Sequence, residues 1–192
     1  LNKFSKYRDR EINPEQLDGY KEVLNSLNFK KPKEIILIGG TNGKGSLSEL
    51  VTKLAMKCNI SVGTFTSPHL LNFNERIRVN DKEISDEDLL DSLKRFHRYK
   101  KSHNLNFYQI ISLAALYHFN KSNLDLWILE IGMGGRLDPM NFIEPDISVI
   151  TKVALDHQDY LGNTIEEIAA EKAEIARSKK PLIFGSEIVP SS

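Results

Sequence analysis

Several things are scarce in this sequence, and each scarcity excludes something. Its 192 residues hold one cysteine, Cys58. An internal disulfide framework is therefore excluded, and a reducing, cytoplasmic compartment is expected. Cys58 itself reads as a half-buried residue near a helix end rather than a catalytic thiol. Twenty-six Lys and Arg balance 26 Asp and Glu. With no basic excess and no block of like charge, neither a nucleic-acid surface nor an ionic tail is expected. The longest apolar runs, residues 34–40 and 124–131, are far shorter than the roughly 20 residues that cross a bilayer. No signal-peptide pattern and no internal repeat stand out, so no membrane partner and no repeat architecture are expected. The chain starts at Leu1 rather than Met and stops at Pro190-Ser191-Ser192 just after an apolar run. It is expected to be a piece of a longer protein.

What is present is a core and a pattern. Hydrophobic residues make up 40% of the chain, enough for one packed domain. Asn13-Pro14-Glu15-Gln16 reads as a helix start, with Asn13 as cap and Pro14 at the first helical position. Residues 34–38 form a continuous apolar run, the mark of a strand buried on both faces. Leu47, Leu50, Val51 and Leu54 then recur at helical spacing. Further strands are expected over 61–66, 124–131, 146–151 and 181–185. Helices are expected from Ser85 to about Lys101, from Phe107 to about Lys121, and from Thr164 to about Ser178. Residues 67–83 read as a long polar loop. Strands alternating with helices predict an α/β domain with a mostly parallel sheet flanked by helices. Ligands in such sheets bind outside the carboxyl ends of the strands.

One motif sits at such an end. Gly40-Thr41-Asn42-Gly43-Lys44-Gly45-Ser46 lies between the first strand and a helix. Its glycines let the backbone aim N–H groups at phosphate oxygens, and the helix adds its positive end. Lys44 supplies a point charge and Ser46 a hydroxyl for Mg²⁺. The segment therefore predicts a site for ATP with Mg²⁺. Its spacing departs from G-x-x-x-x-G-K-[ST], because Gly45 separates Lys44 from Ser46. Glu130 closes the third expected strand ahead of Gly132-Met133-Gly134-Gly135-Arg136-Leu137-Asp138. It is either a surface carboxylate or a metal-holding acid beside the phosphates. His157, taken alone, is more often structural than a ligand. Lys172, taken alone, is a solvated helix lysine. Arg76 and Arg78 either bind an anionic substrate or pair with surface acids.

Four segments together resemble one family. They are the glycine loop; Thr66-Ser67-Pro68-His69-Leu70 with Phe73-Asn74-Glu75-Arg76-Ile77; Gly134-Gly135-Arg136-Leu137-Asp138 with Asn141; and Leu155-Asp156-His157 followed by Glu171-Lys172-Ala173. Their order is similar to folylpolyglutamate synthase, often bifunctional with dihydrofolate synthase, in the Mur ligase superfamily. The resemblance implies the P-loop NTPase-like central domain of that superfamily. It also implies an enzyme that phosphorylates a carboxylate with ATP and joins the acyl phosphate to L-glutamate. Under it, Gly40, Thr41, Asn42, Gly43, Lys44, Gly45 and Ser46 bind ATP. Ser46 and Glu130 hold one Mg²⁺, and His157 and Lys172 join Glu130 at a second, with Lys172 carbamylated. Lys44, Glu130, His157 and Lys172 form the catalytic set. Thr66, Ser67, Pro68, His69, Arg76, Arg136 and Asp138 line the site for folate or dihydropteroate.

Pro139 and Met140 stand where the family usually has small residues, and Pro139 stiffens that turn. Under the resemblance, residues 1–192 are expected to be an incomplete N-terminal ATP-binding domain without the C-terminal glutamate-ligase domain, so little ligase activity is expected of the chain alone. The parent enzyme is expected to be a monomer. Two other readings stand beside this one: a Mur-type ligase acting on a cell-wall precursor, and a nucleotide-binding module without catalysis.

Overall fold

The computed structural model describes residues 14–185. In chain order the elements are α1 (Pro14–Ser26), β1 (Glu34–Gly39), α2 (Lys44–Lys57), β2 (Val62–Phe65), β3 (Ile77–Val79), β4 (Lys82–Glu83), α3 (Asp86–His97), α4 (Tyr99–Ser102), α5 (Phe107–Lys121), β5 (Leu126–Glu130), β6 (Ile147–Ile150), α6 (Gln158–Leu161), α7 (Ile165–Ala173) and β7 (Leu182–Phe184). The strands form one sheet in the order β4-β3-β2-β5-β1-β6-β7. β2, β5, β1, β6 and β7 run parallel, and β3 and β4 add an antiparallel edge. All five strands expected from apolar runs are in the sheet. β1 lies between β5 and β6, with Ile38 opposite both Glu130 and Val149. The carboxyl ends of these three strands therefore open side by side.

The alternation of side chains along β1 and β5 divides the core in two. Ile35, Leu37, Trp127 and Leu129 face the larger cluster, which collects α1, α3 and α5 through Tyr20, Phe96, Ile111, Leu113 and Phe119. Ile38, Leu126 and Ile128 face a smaller cluster under α2, with Ala55 and Val62. α5 is buried along most of its length, which explains why its sequence is apolar almost all round.

Helix starts follow the expected chemistry. The Ser85 side chain accepts from Asp88 N at 3.1 Å. Thr164 and Glu167 form a reciprocal capping box at α7. A second capping box, Asn106 with Gln109, opens α5 and was not anticipated. Asn13, the expected cap of α1, lies outside the described residues.

Four expectations change. Residues 67–83 are not a plain loop, because 77–83 form a hairpin. Asn80 and Asp81 both take positive φ, 48° and 62°, and connect Val79 to Lys82, as a two-residue primed turn requires. The helix expected to reach Lys101 breaks at Arg98 into α3 and α4, and α7 ends at Ala173 rather than near Ser178. Cys58 is exposed at the end of α2, not half-buried. Among the described residues no helix is long and apolar enough to cross a membrane.

The two-sided core yields a stability contrast. Phe119 is fully buried and Leu70 is 89% exposed. Urea unfolding should show Phe119→Ala losing about 3–5 kcal/mol, and Leu70→Ala staying within about 0.5 kcal/mol of the parent.

Candidate active site

The glycine loop joins β1 to α2 and is tied down by the segment that follows β6. Thr41 N donates to Lys152 O at 2.7 Å. The Thr41 hydroxyl donates to Ala154 O and accepts from Ala154 N, both at 3.1 Å. The Thr151 hydroxyl donates to Asn42 O at 2.7 Å. Gly40 has φ 138° and lies so close to Thr151 that any Cβ would collide with its hydroxyl. Gly43, at φ 83°, caps α2. Leu47 N donates to Gly43 O as the first bond of the helix. The amides of Lys44, Gly45 and Ser46 precede it and have no intrahelical acceptor, so they present donors at the positive end of α2. Lys44 folds back over the loop, its Nζ donating to Gly40 O at 2.8 Å and Thr41 O at 3.3 Å. Ser46 is exposed in this first turn.

Glu130, the last residue of β5, faces this loop. It is not a surface acid: it is 3% exposed, and a Cβ built on Gly45 would stand 3.9 Å from its Oε2. Burial pushes its carboxyl up to about 7, against the opposing pull of the Ser67 N–H at 3.1 Å and the Lys44 cation. Lys172 is likewise not a solvated helix lysine. It is 2% exposed, and burial followed by the nearby Lys44 cation lowers it to about 8, with only Asp156 opposing. The turn at 134–136 packs directly on it: Arg136 N donates to Glu171 O at 3.1 Å, and a Cβ on Gly135 would collide with that carbonyl. Lys44, Glu130 and Lys172 thus share one electrostatic neighbourhood. His157 is half-exposed at the start of α6, with Nε2 3.6 Å from Asp156 Oδ2.

Beside this cluster opens a cavity of about 410 Å³ lined by Leu17, Ser67, Pro68, Arg76, Asn106, Tyr108, Gln109, Met133, Asp138, Pro139 and His157, among others. Four of the residues expected for folate, Ser67, Pro68, Arg76 and Asp138, are on its wall. His69 stands behind Arg76, whose Nε donates to His69 Nδ1 at 3.0 Å. Thr66 closes the neck of the loop, its N donating to Arg76 O at 3.1 Å. Arg136 turns away and pairs with Glu171 through Nε and Nη2 at 2.9 and 2.8 Å. Arg78, left open between substrate and surface acids, pairs with Glu49 and Asp81.

Asp138 is 4% exposed, and burial raises it to about 6 despite bonds from the Gly132, Met133 and Met140 amides. It also caps a single turn at Pro139–Phe142. Pro139 occupies the first position of that turn, where a missing N–H costs nothing, so Pro139-Met140 is accommodated without strain. Sequence reasoning missed Tyr108, Gln109 and Asn106. Their only sequence signal was the Asn106–Gln109 capping box, which brings the start of α5 to the cavity. The Tyr108 hydroxyl is buried without a well-formed hydrogen bond, beside Gly132, where a Cβ would meet it at 2.5 Å.

The donor set fits a divalent cation in part. A buried carboxylate held near 7 gains by facing a cation, and Ser46 offers an exposed hydroxyl in the first turn of α2. Among the described residues, however, no three His, Cys, Asp or Glu side chains converge as a metal cage. Further donors would have to come from Ser46, a modified Lys172 or the phosphates of a nucleotide.

Comparison with known proteins places the chain in a family. Residues 38–184 match the Mur ligase middle domain. The dihydrofolate synthase/folylpolyglutamate synthase of Haemophilus influenzae is 39% identical over 177 residues, covering 92% of this chain and 40% of that protein. The chain therefore spans well under half the length of this curated relative. The bifunctional folylpolyglutamate synthase/dihydrofolate synthase of Yersinia pestis, complexed with AMPPNP and Mn ion, superposes with a TM-score of 0.84 at 34% identity. That match covers 95% of this chain and 44% of the other. An FPGS–AMPPCP–folate complex superposes with a TM-score of 0.83 at 32% identity, over 91% of this chain and 45% of the other. With the glycine loop, the parallel sheet and these matches together, the chain belongs to the Mur ligase family through its middle domain, and over that domain it is similar to dihydrofolate synthase/folylpolyglutamate synthases.

Proposed function

We propose that this chain is the nucleotide-binding part of a cytoplasmic, monomeric ligase that uses Mg-ATP to join L-glutamate to dihydropteroate, folate or both. The observation that carries the reading is the placement of Lys44 and the free amides of α2 opposite buried Glu130, with an acceptor-sized cavity beside them. In the first step an acceptor carboxylate oxygen attacks the γ-phosphorus of ATP. The bond to ADP breaks, and the carboxylate becomes an acyl phosphate. In the second step the glutamate amine attacks the acyl carbon, the amide forms, phosphate leaves, and the amine gives up its proton. Such transfer depends on positioning and charge neutralisation more than on covalent help from the protein.

Lys44 and the loop amides neutralise phosphate oxygens. Ser46 and Glu130 would hold one divalent cation, and Glu130, His157 and carbamylated Lys172 a second. The cations would supply charge neutralisation at the transferring phosphoryl group. Ser67, Pro68, Arg76, Tyr108 and Asp138 would orient the acceptor. The likeness to one relative complexed with AMPPNP and Mn ion, and to another complexed with AMPPCP and folate, supports a nucleotide, a divalent cation and a folate-type acceptor as the ligands. A buried amine lowered to about 8 is partly neutral near physiological pH, and neutral amine is the form that adds CO₂ to give carbamate and a proton.

Thermal-shift titration of this chain tests the reading. Mg-ADP should raise Tm, as should dihydropteroate or a reduced folate, whereas a UDP-muramyl compound should not. Lys44→Ala should remove the nucleotide response alone, and an unchanged response would sink the phosphate-site assignment.

Glu130 predicts a trade of stability for function. Between about pH 4.5 and 7 the folded chain keeps a proton on Glu130 that the unfolded chain has lost, so stability falls as pH rises through that window. In EDTA at pH 8, urea unfolding should find Glu130→Gln more stable than the parent by on the order of 1–3 kcal/mol, while Mn²⁺ affinity is lost.

For Lys172, ¹³C NMR under ¹³CO₂ should reveal a carbamate signal that grows from pH 7 to 9 and is missing in Lys172→Arg. No signal in the parent chain would exclude carbamylation.

A further inference from the structure

Residues 66–76 project beyond the sheet between β2 and β3, and the ends of this segment meet. Thr66 N donates to Arg76 O at 3.1 Å, and the Thr66 hydroxyl donates to Glu75 O at 3.4 Å. The base of the loop is packed: the Phe73 ring lies 5.6 Å from Phe107 and 5.5 Å from His69. Asn74 Nδ2 donates to Ile84 O and Asp86 Oδ1, both at 2.8 Å.

The crown of the loop has no such packing. Leu70 and Leu71 are 89% and 87% exposed, so apolar burial does not hold their backbone. What does hold it is one carboxylate. Glu75 accepts from Leu70 N at 2.7 Å, Leu71 N at 2.8 Å and Asn72 N at 2.6 Å. Three converging amides form an anion nest, closed here by a side chain of the same loop. The same bonds hold the Glu75 carboxyl below its usual range. It therefore stays ionised throughout the neutral range.

We propose that Glu75 is the positioning residue of the acceptor loop. It does not line the cavity; its neighbours do. Pro68 and Ser67 lie two and three residues before the clamped amide of Leu70, and Arg76 follows Glu75 directly. The clamp thus fixes both strands of the loop at once. On one strand it sets where the Ser67 amide meets Glu130 and where Pro68 meets the cavity. On the other it sets where the Arg76 guanidinium enters the wall. Without the carboxylate, three amides lose their acceptor, the exposed crown has nothing to order it, and the competent arrangement is populated for a fraction of the time. Apparent acceptor affinity falls by that fraction. The glycine loop is anchored separately, on residues 151–154, so nucleotide affinity is spared. The inference rests on the assignment of the cavity to a folate-type acceptor.

The test compares the 192-residue chain with Glu75→Ala and Glu75→Gln by calorimetric titration with dihydropteroate and with Mg-ADP. Amide hydrogen exchange at residues 67–72 reports the clamp directly. The expected result is faster exchange at 70–72 in Glu75→Ala and an acceptor Kd weakened about tenfold, with an ADP Kd within about twofold of the parent. Glu75→Gln, which keeps one acceptor oxygen, should fall between. Faster exchange with unchanged acceptor Kd would overturn the positioning role, as would equal loss of acceptor and ADP affinity. If the parent chain binds ADP but no dihydropteroate or folate, the acceptor assignment fails, and the positioning role fails with it. Acceptor binding that survives in Glu75→Ala removes the positioning role alone.

Discussion

The site depends first on how the glycine loop is anchored to the strand beside it. Thr41 and Thr151 bind across the gap between β1 and β6, closing four backbone and side-chain bonds onto residues 151–154. The loop can approach that closely only because residue 40 has no Cβ. Once anchored, it sets the start of α2. The start of α2 in turn sets where three unpaired amides and Lys44 point. Parallel pairing of β1 with β5 then brings Glu130 to the same edge. A loop that fits phosphate and a carboxylate that fits a cation are thus consequences of one strand order.

The second constraint is electrostatic. Glu130, Asp138 and Lys172 are all almost fully buried, and none is neutralised by a direct ion pair among the described residues. Burial raises the two acids and lowers the lysine, the signature of charged groups held in low dielectric with incomplete compensation. Asp138 is compensated by three amides, which makes it as much a backbone organiser as a binding group. Glu130 has one amide, that of Ser67, and the fields of Lys44 and Arg76. Strain of this kind concentrates where a ligand later supplies the missing charge.

Much of the fold was legible in the chain. Apolar runs marked the parallel strands, because a strand covered on both faces has no polar side. Ser85 and Thr164 marked helix starts, because their caps are satisfied within four residues. The glycine loop was legible for the same reason: its shape lies in backbone geometry over seven consecutive residues. The β3–β4 hairpin was missed because its strands are three and two residues long and its turn is Asn80-Asp81, with no glycine to announce positive φ. The assignment of Arg136 to the folate site did not anticipate its partner, Glu171, which lies 35 residues further on.

The sequence by itself determined the α/β class, the glycine loop between strand and helix, and the family, since each rests on local patterns or on several short motifs in a set order. Only the tertiary structure decided the fate of the isolated charges. Lys172 carries no local mark of burial, yet the turn at 134–136 packs on it, burial desolvates its amine, and the cation of Lys44 disfavours its charge further. Glu130 is also open to reading as a surface acid, despite the glycines that follow it, until the fold buries it beside Gly45. Burial and electric field are sums over residues distant in the chain, so they exist only once the chain has folded.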